Sequence, residues 1–192
     1  MDWIGEAWRV IDSLWLVMCI VWAAGALTTK RTLRWQTPSS RLWQAGIILF
    51  GFWLLFSGWV HTLWMDVQLY EPGRRAAIAG IALTAAGIAF AIWARLTLGG
   101  NWSGTVTLKE GHTLVQRGPY RWVRHPIYTG LLLASVGTAV VSGSVHSVVA
   151  LPVILFGFWL KIATEESLMV QRFGAEYVGY MRRVKALAPR LF

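Results

Sequence analysis

The chain has 192 residues, 56% of them hydrophobic, only 14% charged and 13 of them Trp, with a mean hydropathy of +0.50. That balance excludes an ordinary water-soluble domain, because the apolar residues fall in blocks about as long as a bilayer is thick rather than in amphipathic stripes. The net charge of +9 is no nucleic-acid footprint either: Lys and Arg sit in loops between apolar blocks, where basic residues gather on the cytoplasmic side and meet anionic headgroups.

The N-terminal residues carry Asp2, Glu6 and Asp12 against a single Arg9, the reverse of a secretory leader, so the first apolar block, residues 13–29, is expected to be a retained helix. It holds Cys19, the only cysteine, which permits neither an internal disulfide nor a Cys-based metal site. A second uncharged block covers 43–65 and is long enough to span with some tilt. A third, 76–94, is rich in Ala and Gly, whose small surfaces let helices approach closely inside a bundle, and it is expected to continue towards Leu98. After a polar stretch from 95 to 125 come two shorter blocks, 127–141 and 147–160, separated by the turn-like SGSVHS and expected to form a tight helical hairpin. From 165 to 184, Leu168, Met169, Phe173, Tyr177, Tyr180 and Val184 recur at helical spacing, predicting an amphipathic tail helix.

The fold expected is therefore all-α, a polytopic membrane bundle of about five transmembrane helices with a C-terminal hairpin and an amphipathic tail. It divides into a three-helix membrane region over 1–98 and a region over 99–192 that carries the chemistry. Lys30, Arg31, Arg34 and Arg41 in the first loop, Arg95, Lys109, Arg117, Arg121 and Arg124 before the hairpin, and a basic tail place those parts in the cytoplasm. The N-terminus is then outside and the C-terminus inside. Trp43, Trp64 and Trp93 at block ends fit interfacial anchoring.

Gly, Pro, His, Tyr and Arg crowd into residues 98–130, directly against a membrane helix. Pro126 suits the first turn of a helix, so the fourth helix would begin with Arg124 and His125 at its positive end, an arrangement suited to a carboxylate or phosphate. Gly118-Pro119 is a turn pair that would bring Tyr120 back towards them, and His125 and Tyr128 lie one turn apart on one face. Glu165 and Glu166 follow the last apolar block, with Lys161 one turn before them. Acids there suit a solvated helix start, but a hairpin returning the chain to the same side would set them beside His125.

These residues resemble a known family. His112-Thr113-Leu114-Val115, Gly118-Pro119-Tyr120, Arg124-His125-Pro126-Ile127-Tyr128-Thr129-Gly130, Glu165-Glu166 and Phe173-Gly174 to Tyr177 look like the C-terminal signature of the isoprenylcysteine carboxyl methyltransferases and their phospholipid methyltransferase relatives. The resemblance covers the last half of the chain; the first two membrane helices carry no comparable motif. It implies a helical membrane enzyme that uses S-adenosylmethionine, held in a pocket closed by the segment before the hairpin and by the tail. On that resemblance His112, Thr113, Leu114, Val115, Tyr120, Arg124, His125, Pro126, Ile127, Tyr128 and Glu165 contact the cofactor. Lys161, His125 and Glu166 are the candidate catalytic groups. The acceptor implied is a lipophilic small molecule or lipidated substrate reached from the membrane lipids: a prenylcysteine-type carboxylate, a lipid amine or a thiol. Prenylcysteine-methylating members carry Arg at the position of Lys161, and Lys, a point charge, lacks the bidentate fork of Arg.

Methyl transfer is an in-line displacement, so the protein must mainly align two reactants and exclude water. A carboxylate or thiolate acceptor needs no base, whereas a lipid amine would call on His125 or Glu166. Two rival readings differ in what they bind. An NADPH-dependent reductase of the sterol reductase type shares the RHPxY region, but its motif reads closer to RHPNYFGE, from which Ile127, Thr129 and Gly130 depart. A non-catalytic bundle would bind neither ligand.

Overall fold

The computed structural model describes residues 3–26, 32–35, 38–57, 67–99, 107–109 and 114–188. Its elements in chain order are helix α1 (Trp3–Ala26), strand β1 (Thr32–Trp35), helices α2 (Pro38–Phe56) and α3 (Arg74–Leu98), strand β2 (Thr107–Lys109), a 3-10 turn (Gly118–Arg121), and helices α4 (Pro126–Ser142), α5 (Val145–Phe173) and α6 (Ala175–Arg183). Among the described residues α1, α3 and α5 are long and apolar enough to cross a membrane, and α2 and α4 are shorter apolar helices. The protein is an integral membrane helical bundle, as the apolar blocks predict.

The tightest contact joins α3 to α4. Gly80 and Gly87 on α3 face Gly137 and Gly130 on α4, each pair spaced by two turns. A Cβ at Gly87 would lie 2.5 Å from the Gly130 carbonyl oxygen, and one at Gly137 would lie 2.5 Å from the Gly80 carbonyl oxygen. The two backbones are in van der Waals contact, and the Thr84 hydroxyl reaches the Ala134 carbonyl at 3.3 Å. In lipid there is no hydrophobic drive between helices, so such close packing is what binds them.

Around this pair sit two apolar clusters. Ala7, Ile11 and Trp15 of α1 pack on Ala77 and Ile88 of α3 and on Ala134 and Val141 of α4. Leu54 and Leu55 of α2 pack with Ala139 of α4 and with Ala150, Ile154 and Phe158 of α5. Trp15 joins the two: its indole N–H donates to the Thr138 hydroxyl at 3.1 Å, and its ring meets Phe52 and Phe56 edge-on.

The connections sort themselves to two ends. β1, in the first loop, pairs antiparallel with β2, in the polar stretch before the 3-10 turn. At the other end the loop before α3 pairs with the α4–α5 turn: the Leu69 N–H donates to the Gly143 carbonyl at 2.8 Å, and the Val145 N–H to the Val67 carbonyl at 3.0 Å. The sequence gives no sign of the strand pair, because three or four residues of ladder carry too little alternation to be read.

Two expected boundaries are corrected. No separate tail helix begins near Glu165; α5 runs unbroken from Val145 to Phe173. The change from apolar to polar at Lys161 marks the end of an apolar surface, not of a helix, and no Gly or Pro intervenes before Gly174. Gly174, at φ 52, is where the chain turns, leaving a nine-residue α6. At the other end of the chain, α1 starts ten residues before its apolar block. The second block is helical to Phe56, and residues 58–66 lie outside the described ones.

Because the α3–α4 contact is between backbones, Gly137→Ala should destabilise by roughly 1–3 kcal/mol, since neither helix has a flexible side chain to move aside. Gly46→Ala, where an added Cβ meets nothing within 4 Å, should be neutral or stabilise by up to about 1 kcal/mol. Thermal unfolding of both variants in the same detergent checks the difference.

Candidate active site

The hairpin makes the site. With α4 17 residues long and helices rising about 1.5 Å per residue, α5 comes level with the start of α4 near Lys161. Glu165 and Glu166 then stand one turn further on, against His125. Pro126 opens α4 at its first position and His125 is the residue before it, placing the imidazole at the helix N-terminus.

The carboxylates close around that imidazole. His125 Nε2 is 3.0 Å from Glu166 Oε1, and Nδ1 is 3.5 Å from Glu165 Oε2. Tyr128 donates its hydroxyl to Glu165 Oε1 at 2.5 Å. Arg124 donates Nε and Nη2 to Glu166 Oε1 at 2.8 and 2.7 Å. The side chains of Arg124 and His125 are 9% and 8% exposed, those of Glu165 and Glu166 21% and 15%, so the carboxylates are the more open edge of the network.

Aromatic faces form a column beside it. The rings of His125 and Tyr128 lie within 7° of parallel at 5.7 Å, and Tyr128 stacks on Phe158 at 4.7 Å. The Lys161 ammonium lies 5.4 Å from the centre of the Tyr128 ring. Phe158, Lys161 and Glu165 follow one another at three and four residues along α5, which is one helix face. Phe158 is the residue the sequence motifs missed, and that spacing is the signal that would have found it.

Burial alone would pull the His125 pKa down, but the hydrogen bonds and charges of Glu165 and Glu166 outweigh it and hold the imidazole above its ordinary value. Burial, reinforced by Glu165, pushes the Tyr120 phenol far up. Burial likewise raises Tyr180, to about 12. Tyr180 is thus a neutral donor, and its hydroxyl bonds to the Tyr120 carbonyl oxygen at 2.5 Å.

The structure brings Arg124, His125, Tyr128, Lys161, Glu165 and Glu166 together. Tyr120 is buried with Ala94 and Ile127, and Val115 packs on the same cluster. Pro126 is fully buried, Ile127 lies in that core, and Leu114 is half-buried at the edge of the described segment. His112 and Thr113 lie outside the described residues. A further residue missed by motif is Gln44 of α2, whose amide donates to the Thr164 hydroxyl at 2.8 Å and to the Leu160 carbonyl at 3.3 Å. It steadies the turn of α5 that carries Lys161 and Glu165, and a lone Gln in an apolar block was its only sequence trace.

Residues 80–171, which hold both α4 and the Glu pair, match the model of the isoprenylcysteine carboxyl methyltransferase (ICMT) family. The family resemblance of the motifs holds. Protein-S-isoprenylcysteine O-methyltransferase B of Arabidopsis thaliana is 40% identical over 82 residues, covering 42% of this chain and 42% of that one. The Rattus norvegicus protein-S-isoprenylcysteine O-methyltransferase is 32% identical over 117 residues, covering 56% of this chain and 41% of that one. The matches thus span about two fifths of each of these curated relatives. The solved structure of the eukaryotic intramembrane Ras methyltransferase ICMT shares the fold, with a TM-score of 0.53 at 23% identity over 76% of this chain and 52% of that one.

Because the folded state holds the His125 proton more tightly than an unfolded chain, whose His titrates near 6.5, the bond network stabilises fully below about pH 6.5. That contribution is lost as pH rises through the folded-state value. In detergent, the melting temperature of His125→Gln should fall furthest below the wild type near pH 6, and the gap should narrow towards pH 9. An even gap across that range would show that the imidazolium is not what the carboxylates hold.

Proposed function

We propose that this chain is an integral membrane methyltransferase that takes its methyl group from S-adenosylmethionine and acts on a prenylcysteine-type carboxylate entering from the bilayer. The observation that carries the reading is the meeting of the Arg124-His125-Pro126-Ile127-Tyr128 segment with Glu165 and Glu166 in one network, within the segment that matches the family. The names of the relatives support the acceptor class. The basic loops support a site on the cytoplasmic side, with the N-terminus outside.

The donor set fits such a cofactor. Aromatic faces at Tyr128 and Phe158 beside two carboxylates suit a molecule carrying a sulfonium and an ammonium. Tyr120, His125, Tyr128 and Glu165 would hold it, with Pro126 and Ile127 fixing the backbone beneath, Arg124 within the same network, and Leu114 and Val115 at the edge. His112 and Thr113 are assigned to the same site on the motif. When bound, S-adenosylmethionine supplies a methyl group activated by the positive sulfur.

The protein's own residues account for the rest. Lys161, over the Tyr128 ring, would meet an anionic acceptor as a point charge. The apolar helices around it offer a lipophilic chain a surface to lie on. Both ring nitrogens of His125 face carboxylates, which leaves neither directed at an acceptor to take a proton. An acceptor that needs no base therefore fits better than a lipid amine, for which His125 or Glu166 would have to act. The positioned groups need only align the acceptor oxygen and exclude water.

Calorimetry on the detergent-purified protein tests the cofactor. S-adenosylmethionine and S-adenosylhomocysteine should bind in the micromolar range, Glu165→Ala and His125→Ala should abolish binding, and NADPH should not bind. NADPH binding would instead establish a reductase, and binding of none of the three a non-catalytic bundle. With a farnesylcysteine acceptor, Lys161→Ala should lower kcat/KM by roughly 10- to 100-fold, the range for losing one charge-assisted contact, with cofactor affinity unchanged.

A further inference from the structure

The C-terminal segment is bound to the site by the site's own backbone. After α6 the chain extends at Val184, and Lys185 pairs in parallel with Val123. The amide of Arg124 donates to the Lys185 carbonyl at 2.8 Å, and that of His125 to the Ala186 carbonyl at 3.0 Å. The Thr129 hydroxyl donates to the Leu187 carbonyl at 2.7 Å.

The side chain of Arg124 ties the same segment to a carboxylate. While Nε and Nη2 hold Glu166, Nη1 donates to the carbonyls of Met181, at 3.2 Å, and Val184. Those carbonyls end α6, where the helix has no N–H donors of its own to offer them and a cation is favoured. A nine-residue helix does not persist by itself. One guanidinium therefore caps α6 and neutralises the carboxylate that also faces His125.

We propose that Arg124 is a positioning residue that latches the tail to Glu166, so that docking of residues 184–187 and binding of a ligand at the Glu165–Glu166 edge strengthen one another. The ligand half rests on the cofactor reading above; the latch itself does not. Arg124 touches the tail and Glu166 together, so whatever fixes one fixes the other, and the coupling must run equally in both directions. The tail is then the element whose release opens the His125 end of α4.

Limited trypsinolysis of the full-length protein in detergent, with the C-terminal fragments weighed by mass spectrometry, reads tail release. Cleavage after Arg182, Arg183 and Lys185 requires the tail to open first. Arg124→Gln and Glu166→Gln should each speed that cleavage roughly ten-fold or more, and the double variant should be no faster than the faster single. Thr129→Val, which leaves the carboxylates untouched, should also speed it, and it keeps the test alive if Arg124→Gln does not fold. Cleavage of Glu166→Gln at the wild-type rate, or a double variant showing the product of the two single effects, would overturn the latch. S-adenosylhomocysteine should protect the wild-type tail and fail to protect the tail of Arg124→Gln. If it binds the wild type with no protection, the coupling is wrong. If it does not bind at all, the cofactor reading fails and the proposed coupling falls with it, while the cleavage rates still decide the latch.

Discussion

Everything in the site depends on how closely α3 and α4 approach. Glycines two turns apart on each helix let the two backbones touch, and that contact fixes the height and rotation of α4 in the bundle. The N-terminus of α4 is the site. Gly130, which touches Ala91 and Gly87 of α3, is only five residues from His125, so the imidazole inherits the rigidity of the contact rather than that of a loop. Gly143 then turns the chain at φ 65 within the two residues between α4 and α5, so that the short turn sets the level of α5 against α4 and the packing of α2 on α5 holds it there.

That register brings opposite charges together where neither could stand alone. Two carboxylates on α5 meet Arg124, His125 and, one turn away, Lys161. Removing a partner from such a buried pair costs up to roughly 3–5 kcal/mol, because the other charge is left without compensation. The network is thus a structural joint as well as the candidate binding surface. Its outward edge is carboxylate and aromatic, which suits a cation, while Lys161 presents the opposite charge on the next turn. On the proposed reading, a cationic donor and an anionic acceptor held side by side would need that alternation, and Phe158, Lys161 and Glu165 would supply it from one face of one helix.

Much of this was legible in the sequence, and the reasons for the gaps are physical. Apolar length identified the helices, and the α3 block declared its close packing by its Ala and Gly content. Where α5 ends was not legible from hydropathy, because Lys161 to Phe173 keeps helical backbone while its side chains change from apolar to polar; only Gly174 signals the stop. The β1–β2 pair was invisible because its ladder is a few residues long. Among the residues that the fold brings together, motif reading singled out those with distinctive chemistry and passed over Phe158 and Gln44, whose contacts appear only when two helices are placed side by side.

The segment from Arg124 to Gly130 shows why a short motif can be so informative. Each residue does something different, and no two of the tasks are interchangeable. Arg124 holds Glu166 and the end of α6, and His125 stands between both carboxylates. Pro126 starts the helix, and Ile127 packs into the core with Ala94 and Tyr120. Tyr128 fixes Glu165 and carries the aromatic column, Thr129 binds the tail at Leu187, and Gly130 admits the backbone of α3. Seven consecutive residues on one helical turn and its lead-in thus face α3, α5, α6 and the extended segment that follows α6. A substitution at any of them disturbs a contact that its neighbours cannot replace. The motif is therefore best understood as the junction at which the membrane bundle, the carboxylate pair and the C-terminal segment are joined, with the proposed binding surface as one product of that junction.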